Sequence, residues 1–114
     1  MEIYKILLHQ EWHDLKLKRQ TPGSMVDVMD GFIHFSTVEQ LRTTVSKHFC
    51  SYEEIVVLGC ETALMESPLK WEISRGGELF PHLYGPMDVN FILWNETVTK
   101  LNGTYVFPEW IQFK

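Results

Sequence analysis

The stretch from Leu69 to Pro86, LKWEISRGGELFPHLYGP, decides the fold more than any other part of this 114-residue chain. Two mainly apolar arms, Leu69 to Ile73 and Leu79 to Leu83, flank the pair Gly76-Gly77. A glycine pair between two apolar runs is typical of a β-hairpin, because glycine adopts the positive φ angles that tight turns need. The stretch therefore predicts a hairpin that carries many polar and aromatic side chains.

With the two glycines at the centre of the turn, Trp71 lies opposite His82 in the predicted register. Because side chains alternate along a strand, one face then carries Trp71, Ile73, Phe80, His82 and Tyr84. Such a wall suits a planar ring, for example a base or a nicotinamide. The alternative is an aromatic half-core in which the polar tips bond to backbone groups.

The turn itself predicts a second kind of contact. The Arg75 guanidinium and the bare backbone of Gly76 and Gly77 form a candidate clamp for phosphate or carboxylate. Glu72 is a candidate general base or acceptor for a ribose hydroxyl, and His82 is a candidate polar catalyst. The alternatives are a solvated turn in which Arg75 pairs with Glu78, and an exposed or Arg75-paired Glu72.

A second cluster lies at Asp30 to Thr37, DGFIHFST. Alternation places Phe32, His34 and Ser36 on one face of a short strand that leads into a helix. A helix N-terminus presents unpaired amides and favours anions. His34 is therefore a candidate acid/base or ligand-positioning group, and Ser36 and Thr37 are candidate substrate contacts. The alternatives are a hydrogen-bonded core histidine and two helix-capping residues.

The remaining pattern predicts a small α+β domain in which most elements are strands. Predicted strands other than the hairpin arms cover Ile3–Leu8, Phe32–Phe35, Glu54–Cys60, Val89–Thr99 and Thr104–Phe107. Predicted helices cover Gln10–Arg19 and Val38 to about Lys47 or His48, the latter capped by Thr37 and Gln40. Turns are expected at Thr21–Ser24, Asp30-Gly31 and Asn102-Gly103, and a loop or single helical turn at Thr62–Ser67.

Composition narrows the classes of partner. The formal charge of −5 and the pI near 5.4 argue against broad binding to the backbone of nucleic acids, although a local pocket for one nucleotide is compatible with them. No apolar run approaches the length of a membrane span, and we expect one cytoplasmic domain over residues 1–114. His9 and His13 have metal-compatible spacing without an evident third ligand, so no metal site is predicted. The sequence indicates no oligomeric state.

The two clusters together resemble the domain-of-unknown-function 952 family over about Glu2 to Val98. The resemblance rests on IYKI at Ile3–Ile6, on Trp12, on DGFIHFST, and on the whole hairpin stretch. It implies an architecture similar to ADP-ribosyltransferases and RNA 2′-phosphotransferases, with a split, strongly bent pair of antiparallel sheets around a nucleotide cleft. NAD is the cofactor that this resemblance brings into consideration.

The resemblance also implies roles for individual residues. An early-strand histidine that holds the ribose matches His34, and an aromatic ring on the nicotinamide matches Tyr84 or Trp71. Transferases of this kind carry a late-strand glutamate, for which this chain offers only Glu96; Glu72 lies elsewhere.

Three functions follow from these observations. The first is an enzyme that transfers or cleaves a group of an NAD-like nucleotide. The second is a binding module that senses a nucleotide or metabolite without turnover, and the third is a protein-interaction domain.

Overall fold

Antiparallel pairing links every strand of this structure, a computed structural model that describes residues 1–66 and 68–111. The strands are Glu2–Leu7 (β1), Gln20–Thr21 (β2), Ile33–His34 (β3), Glu54–Glu61 (β4), Leu69–Ile73 (β5), Leu79–Leu83 (β6), Met87–Asp88 (β7), Ile92–Leu101 (β8) and Thr104–Tyr105 (β9). The helices are His9–Lys18 (α1), Met25–Asp30 (α2) and Val38–His48 (α3). Short 3-10 turns cover Thr62–Leu64, Arg75–Gly77 and Val89–Phe91. The result is the predicted α+β architecture of curled antiparallel sheets with helices.

The larger sheet has the strand order β1-β4-β8-β9, and its strands β1 and β4 are buried on both faces. The side chains of β1 and β4 alternate between two cores, because both strands are apolar at nearly every position. One core contains Ile3, Leu7, Val56 and Leu58, and packs against α1. The other core lies under α3 and contains Ile6, Leu41, Val45, Ile55 and Val57.

The smaller sheet has the strand order β3-β6-β5, and β2 pairs with β7 in a separate two-stranded sheet. Ile33, Phe35 and Leu83 of the smaller sheet enter the first core, so the two larger sheets pack against each other there. The opposite face of the smaller sheet, which carries His34 and His82, points away from this core. None of the helices within the described residues is long and apolar enough to span a membrane.

Most predicted elements are confirmed within a few residues, and three are corrected. The predicted turn at Thr21–Ser24 is followed by α2, which the sequence analysis missed. The side chains and amides of Ser24 and Asp27 bond reciprocally and start this helix. The predicted strand Val89–Thr99 starts only at Ile92, because Asp88 caps a 3-10 turn over Val89–Phe91. The predicted strand Thr104–Phe107 ends at Tyr105.

The loop prediction for Thr62–Ser67 is confirmed at its start by a 3-10 turn, and Ser67 lies outside the described residues.

The predicted hairpin exists, but its predicted register is wrong by one residue. Trp71 pairs with Pro81, Glu72 with Phe80 and Lys70 with His82. The connection is a five-residue loop closed by the Ser74 amide, which donates to the Glu78 carbonyl at 2.9 Å, instead of a two-residue turn. A slip of one residue moves every side chain of the strand to the other face. Glu72 therefore joins the face of His82, and Trp71 leaves it.

Candidate functional site

The two predicted histidines meet on the face of the smaller sheet that is turned away from the first core (the site face). His34 of β3 and His82 of β6 are directly opposite, and their ring centroids lie 5.4 Å apart at a steep angle. The neighbouring amide of Phe35 donates to the Pro81 carbonyl at 3.0 Å, so the histidines form the alternate pair that exchanges no backbone hydrogen bonds. Side chains approach closely in such pairs. The strand register therefore brings the two rings together.

The backbone amide and carbonyl of His34 therefore point away from β6, and both bond to a buried ion pair. Lys5 Nζ donates to the His34 carbonyl at 3.0 Å, and the His34 amide donates to Asp27 Oδ1 at 3.1 Å. Lys5 and Asp27 form an ion pair of 2.7 Å, and both side chains are buried. The same Asp27 Oδ1 lies 2.6 Å from His34 Nδ1. One carboxylate thus fixes both the strand and the ring of His34.

Asp27 is held in its charged form by these contacts. Burial alone raises the pKa of a carboxyl group, but the hydrogen bond from His34 and the charge of Lys5 outweigh it. The net result is a pKa of Asp27 well below its usual range. An ionised Asp27 favours a proton on His34 Nδ1, so the remaining nitrogen, Nε2, is the one available at the surface.

His34 Nε2 has a second carboxylate beside it. Asp30 Oδ2 lies 3.0 Å away, at the end of α2, and its side chain is about half exposed at 48%. The His34 side chain is itself 34% exposed. Asp30 is thus a solvent-facing acceptor, and a ligand can replace it beside His34 Nε2 or form a hydrogen bond with it.

His82 is held in the same way by a different carboxylate, that of Glu72. Its Nδ1 lies 2.8 Å from Glu72 Oε1, which also accepts a hydrogen bond from the Tyr84 hydroxyl at 2.7 Å. The Tyr84 hydrogen bond first, and the His82 hydrogen bond second, lower the pKa of Glu72, and the same contact with Glu72 raises the pKa of Tyr84. Within the described residues, nothing bonds to His82 Nε2.

Phe32 supplies the aromatic wall in place of Trp71. Its ring stacks on His82 at 4.1 Å and lies 4.6 Å from the ring of His34 and 5.2 Å from that of Tyr84. Trp71, which the sequence placed beside His82, lies on the opposite face because of the register slip. The predicted wall is thus built from Phe32, His82 and Tyr84.

The Arg75 side chain reaches towards α3 and forms no ion pair with the Glu78 side chain, although the Glu78 amide donates to the Arg75 carbonyl at 3.4 Å. Its Nη2 donates to Thr44 Oγ1 at 3.1 Å, and Thr44 Oγ1 lies 2.9 Å from Ser36 Oγ. The guanidinium also lies over the ring of Phe80, 4.9 Å from its centroid. Arg75 therefore places a positive charge beside Thr44, in the second half of α3.

The other predicted anion contacts are partly engaged within the protein. The Gly77 amide donates to the Ser74 carbonyl, so it is used inside the loop, while Gly76 makes the turn with a φ of 68°. The Thr37 amide donates to Gln40 Oε1 at 3.0 Å, as the predicted capping arrangement requires. Ser36 is buried.

A shallow open pocket of about 270 Å³ adjoins the site on the other side of Phe32. Its lining is mainly apolar and includes Pro22, Val28, Phe32, Ile33 and Pro86. In the part of the chain that the structure describes, no three His, Cys, Asp or Glu side chains are placed to hold a metal ion.

The structure thus groups His34, His82, Glu72 and Tyr84, with Arg75 near Ser36 at one end. Sequence reasoning missed two members, Asp27 and Lys5. Both left a signal in the sequence: Ser24-Met25-Val26-Asp27 is a capping-box pattern, and Lys5 is a lone charge in an apolar strand. A charge at a buried strand position requires a partner, and Asp27 is that partner.

This fold and these two clusters place the chain in a family. The family model described as "Protein of unknown function (DUF952)" matches residues 6–95, and the chain belongs to this family. The structure is similar to the crystal structure of protein CC0527 from Caulobacter crescentus, with a TM-score of 0.87 and 39% sequence identity over 93% of this chain and 94% of that one. The solution NMR structure of CC0527 gives a TM-score of 0.81 over 91% and 90% of the two chains. A search of curated proteins finds no match.

Proposed function

We propose that this protein is an enzyme that binds an NAD-like nucleotide on the face around His34 and His82 and transfers an ADP-ribosyl or phosphate group. One observation carries the proposal. Two histidine rings lie 5.4 Å apart, and each has its Nδ1 within 2.8 Å of a carboxylate. Carboxylates that fix histidine tautomers are a common arrangement for general acid/base catalysis.

The two histidines have different roles in this proposal. His82 donates Nδ1–H to Glu72 and keeps a bare Nε2, so it is the general base. His34 lies between Asp27 and Asp30, so a proton on each of its nitrogens faces a carboxylate oxygen. His34 therefore binds a ribose hydroxyl or phosphate oxygen through Nε2–H. In phosphate transfer it gives this proton to the leaving oxygen, whereas in ADP-ribosyl transfer from NAD the nicotinamide leaves the ribose carbon as the neutral base and needs no proton.

The surrounding groups fit the other parts of a nucleotide. Arg75 lies beside Thr44 of α3 and binds the phosphates. Ser36 contacts the same Thr44 hydroxyl, and Thr37 offers the N-terminus of α3. Phe32 and Tyr84 offer aromatic surface for the planar ring. Gly76 and Gly77 keep the loop free of side chains beside Arg75. NAD is the candidate cofactor or substrate.

The proposal includes an ADP-ribosyltransferase-like arrangement of the two sheets. The late-strand glutamate of such transferases has no counterpart in the site, because Glu96 is exposed on β8 opposite Val57. In its place, Glu72 is the carboxylate that contacts Nδ1 of His82. We also propose a cytoplasmic location and a single domain over residues 1–114.

A binding module without turnover is the second candidate. The contact between Asp30 Oδ2 and His34 Nε2 favours it, because this carboxylate occupies the position of a reacting group. A protein-interaction domain is the third candidate, favoured by the outward apolar side chains of α2, where Met25 and Met29 are nearly fully exposed.

Ligand-observed saturation-transfer NMR separates these candidates. The ligands are NAD, ADP-ribose, nicotinamide and a 2′-phosphorylated dinucleotide, each with wild type, His34→Ala, Arg75→Ala and the control His13→Ala, which changes an exposed histidine of α1. We expect transfer in wild type and His13→Ala, and its loss in the two site variants. Product peaks after hours of incubation indicate an enzyme, and unchanged ligand indicates a binding module. No transfer from any ligand contradicts both.

A further inference from the structure

The smaller sheet ends in an open strand edge. The Ser74 amide donates to the Glu78 carbonyl, and the Tyr84 amide donates to the Pro68 carbonyl. These two bonds show that the even-numbered residues of the β5 segment bond to β6, so the backbone groups of Trp71 and Ile73 point outward. Within residues 1–66 and 68–111, no strand pairs with this side of β5. An open edge is a template for another strand.

The side chains near this edge form an apolar patch on one face of the hairpin. Trp71, Ile73 and Leu79 share that face, and Ile73 and Leu79 are directly opposite each other. Their exposed fractions are 39%, 74% and 53%, because the hairpin extends beyond the core that covers Leu83. Exposed apolar surface beside an open strand edge marks an interaction site.

The other face of β5 carries charges of opposite sign two residues apart. Lys70 and Glu72, the residues before and after Trp71 in the sequence, both lie on the site face. In an antiparallel pair of two identical β5 strands centred on Trp71, Lys70 of each copy lies opposite Glu72 of the other. These are the close pairs without backbone bonds, in which opposite charges attract most strongly. The strand is therefore complementary to itself in charge.

The backbone groups are complementary in the same register. Trp71 of each copy faces Trp71 of the other, so each amide can donate to the other carbonyl. The Ile73 amide can donate to the Leu69 carbonyl of the second copy. The Leu69 amide is already bonded to Met65 within its own chain. The register thus uses outward groups that the single chain leaves open.

We propose that two copies of this chain associate through antiparallel β5–β5 pairing centred on Trp71. The partner is a second copy because an isologous two-fold contact needs a surface that is complementary to itself. The two three-stranded sheets become one six-stranded sheet with the two apolar patches side by side. Lys70 of the partner subunit then lies beside Glu72, so dimer formation adds a positive charge next to the carboxylate that holds His82.

Charge exchange tests this register directly. Lys70→Glu places acids opposite acids, and Glu72→Lys places lysines opposite lysines. We expect each variant alone to dimerise at least about tenfold more weakly than wild type by sedimentation velocity. An equimolar mixture of the two variants restores both opposite-charge pairs, and we expect it to form dimers at the same protein concentration as wild type.

A matched pair of apolar variants tests the edge itself. Trp71→Lys brings two charges together at the two-fold axis and should abolish the dimer. Leu79→Lys changes the same patch on β6, which is not an edge strand, and should weaken it much less. Circular dichroism melting confirms that each variant folds. A wild type that stays monomeric up to about 500 µM, or a charge-variant mixture that does not associate, overturns the proposal.

Discussion

A single buried carboxylate, Asp27, links the stability of this protein to its candidate site. It accepts from Lys5, from the Ser24 amide, and from both the backbone and the ring of His34. Without it the Ser24 and His34 amides would lose their acceptor, and the buried Lys5 would keep the His34 carbonyl but lose its counter-charge, which is costly. The residue that orients His34 therefore also closes the junction between α2, β1 and β3.

The acid dependence of stability tests this role of Asp27. Because its pKa is lowered in the folded state, its contribution is fully present above the unfolded pKa near 4 and is lost as the pH falls towards the depressed native value. We expect Asp27→Asn to lower the free energy of unfolding by about 3–5 kcal/mol at neutral pH, because Lys5 loses its partner. Below a pH of about 4 this difference should shrink.

Urea unfolding of both proteins at a pH of about 7 and of about 3 measures the two differences. Asp14→Asn is the control, since Asp14 is on the helix surface and accepts a hydrogen bond from the neighbouring Gln10 of its own helix. A penalty for Asp27→Asn that is the same at both pH values would show that the buried ion pair does not set the effect.

Among the elements, β4 lies between β1 and β8 in the larger sheet and has no room for a side chain at Gly59. Gly59 lies where β4 shifts register against β8, and a Cβ placed there would overlap the indole of Trp94 and lie 2.6 Å from Glu2 Oε1. Trp94 Nε1 donates to that same Glu2 oxygen. The glycine therefore makes room for a side-chain hydrogen bond that crosses the sheet.

We predict that Gly59→Ala destabilises the protein by about 1–3 kcal/mol, because overpacking forces the Trp94 indole away from Glu2. Thermal melting should show a decrease of roughly 5 °C or more. Gly85→Ala is the matched control, since its nearest neighbour would be Pro68 Cβ at 3.8 Å and its φ is not positive. Equal melting temperatures for the two variants would contradict this packing argument.

The elements also show how far the sequence can predict this fold. Apolar runs and turn residues were enough for β1, α3, β4 and both arms of the hairpin. The register of the hairpin was not predictable from Gly76 and Gly77, because Arg75 joins them in a 3-10 turn and lengthens the loop. The short helix α2 was missed because its exposed apolar side chains give no inward stripe.

The candidate site was predictable only in part for the same reason. His34, His82, Glu72, Tyr84 and Arg75 stand in local patterns that suit ligand binding. Their neighbours depend on contacts between distant segments: Lys5 meets Asp27 across 22 residues, and Arg75 meets Thr44 across 31. Local sequence patterns do not show which distant residues come into contact. The predicted register was also wrong by one residue, so it placed Trp71 on the site face where the structure has Glu72.

At the scale of the whole molecule, the two faces of the smaller sheet have different roles. The first core packs one face of the smaller sheet against the larger sheet, and the other face carries the two histidines. The site face is flanked by α2 at Asp30 and by α3 at Thr44. A ligand on this face therefore contacts side chains held by a packed sheet behind them, which favours preorganised binding.

The most direct measurement of the central claim is the NMR spectrum of the histidine rings during titration with ADP-ribose. The chain has five histidines, and His9 and His13 of α1 lie away from the site face and serve as internal controls. His48 is not a control, because burial and the nearby charges of Arg75 and His34 lower its pKa. The account predicts that the ring signals of His34 and His82 move together with one binding curve, while those of His9 and His13 stay in place. Unchanged signals for His34 and His82, or equal shifts of all five, would contradict it.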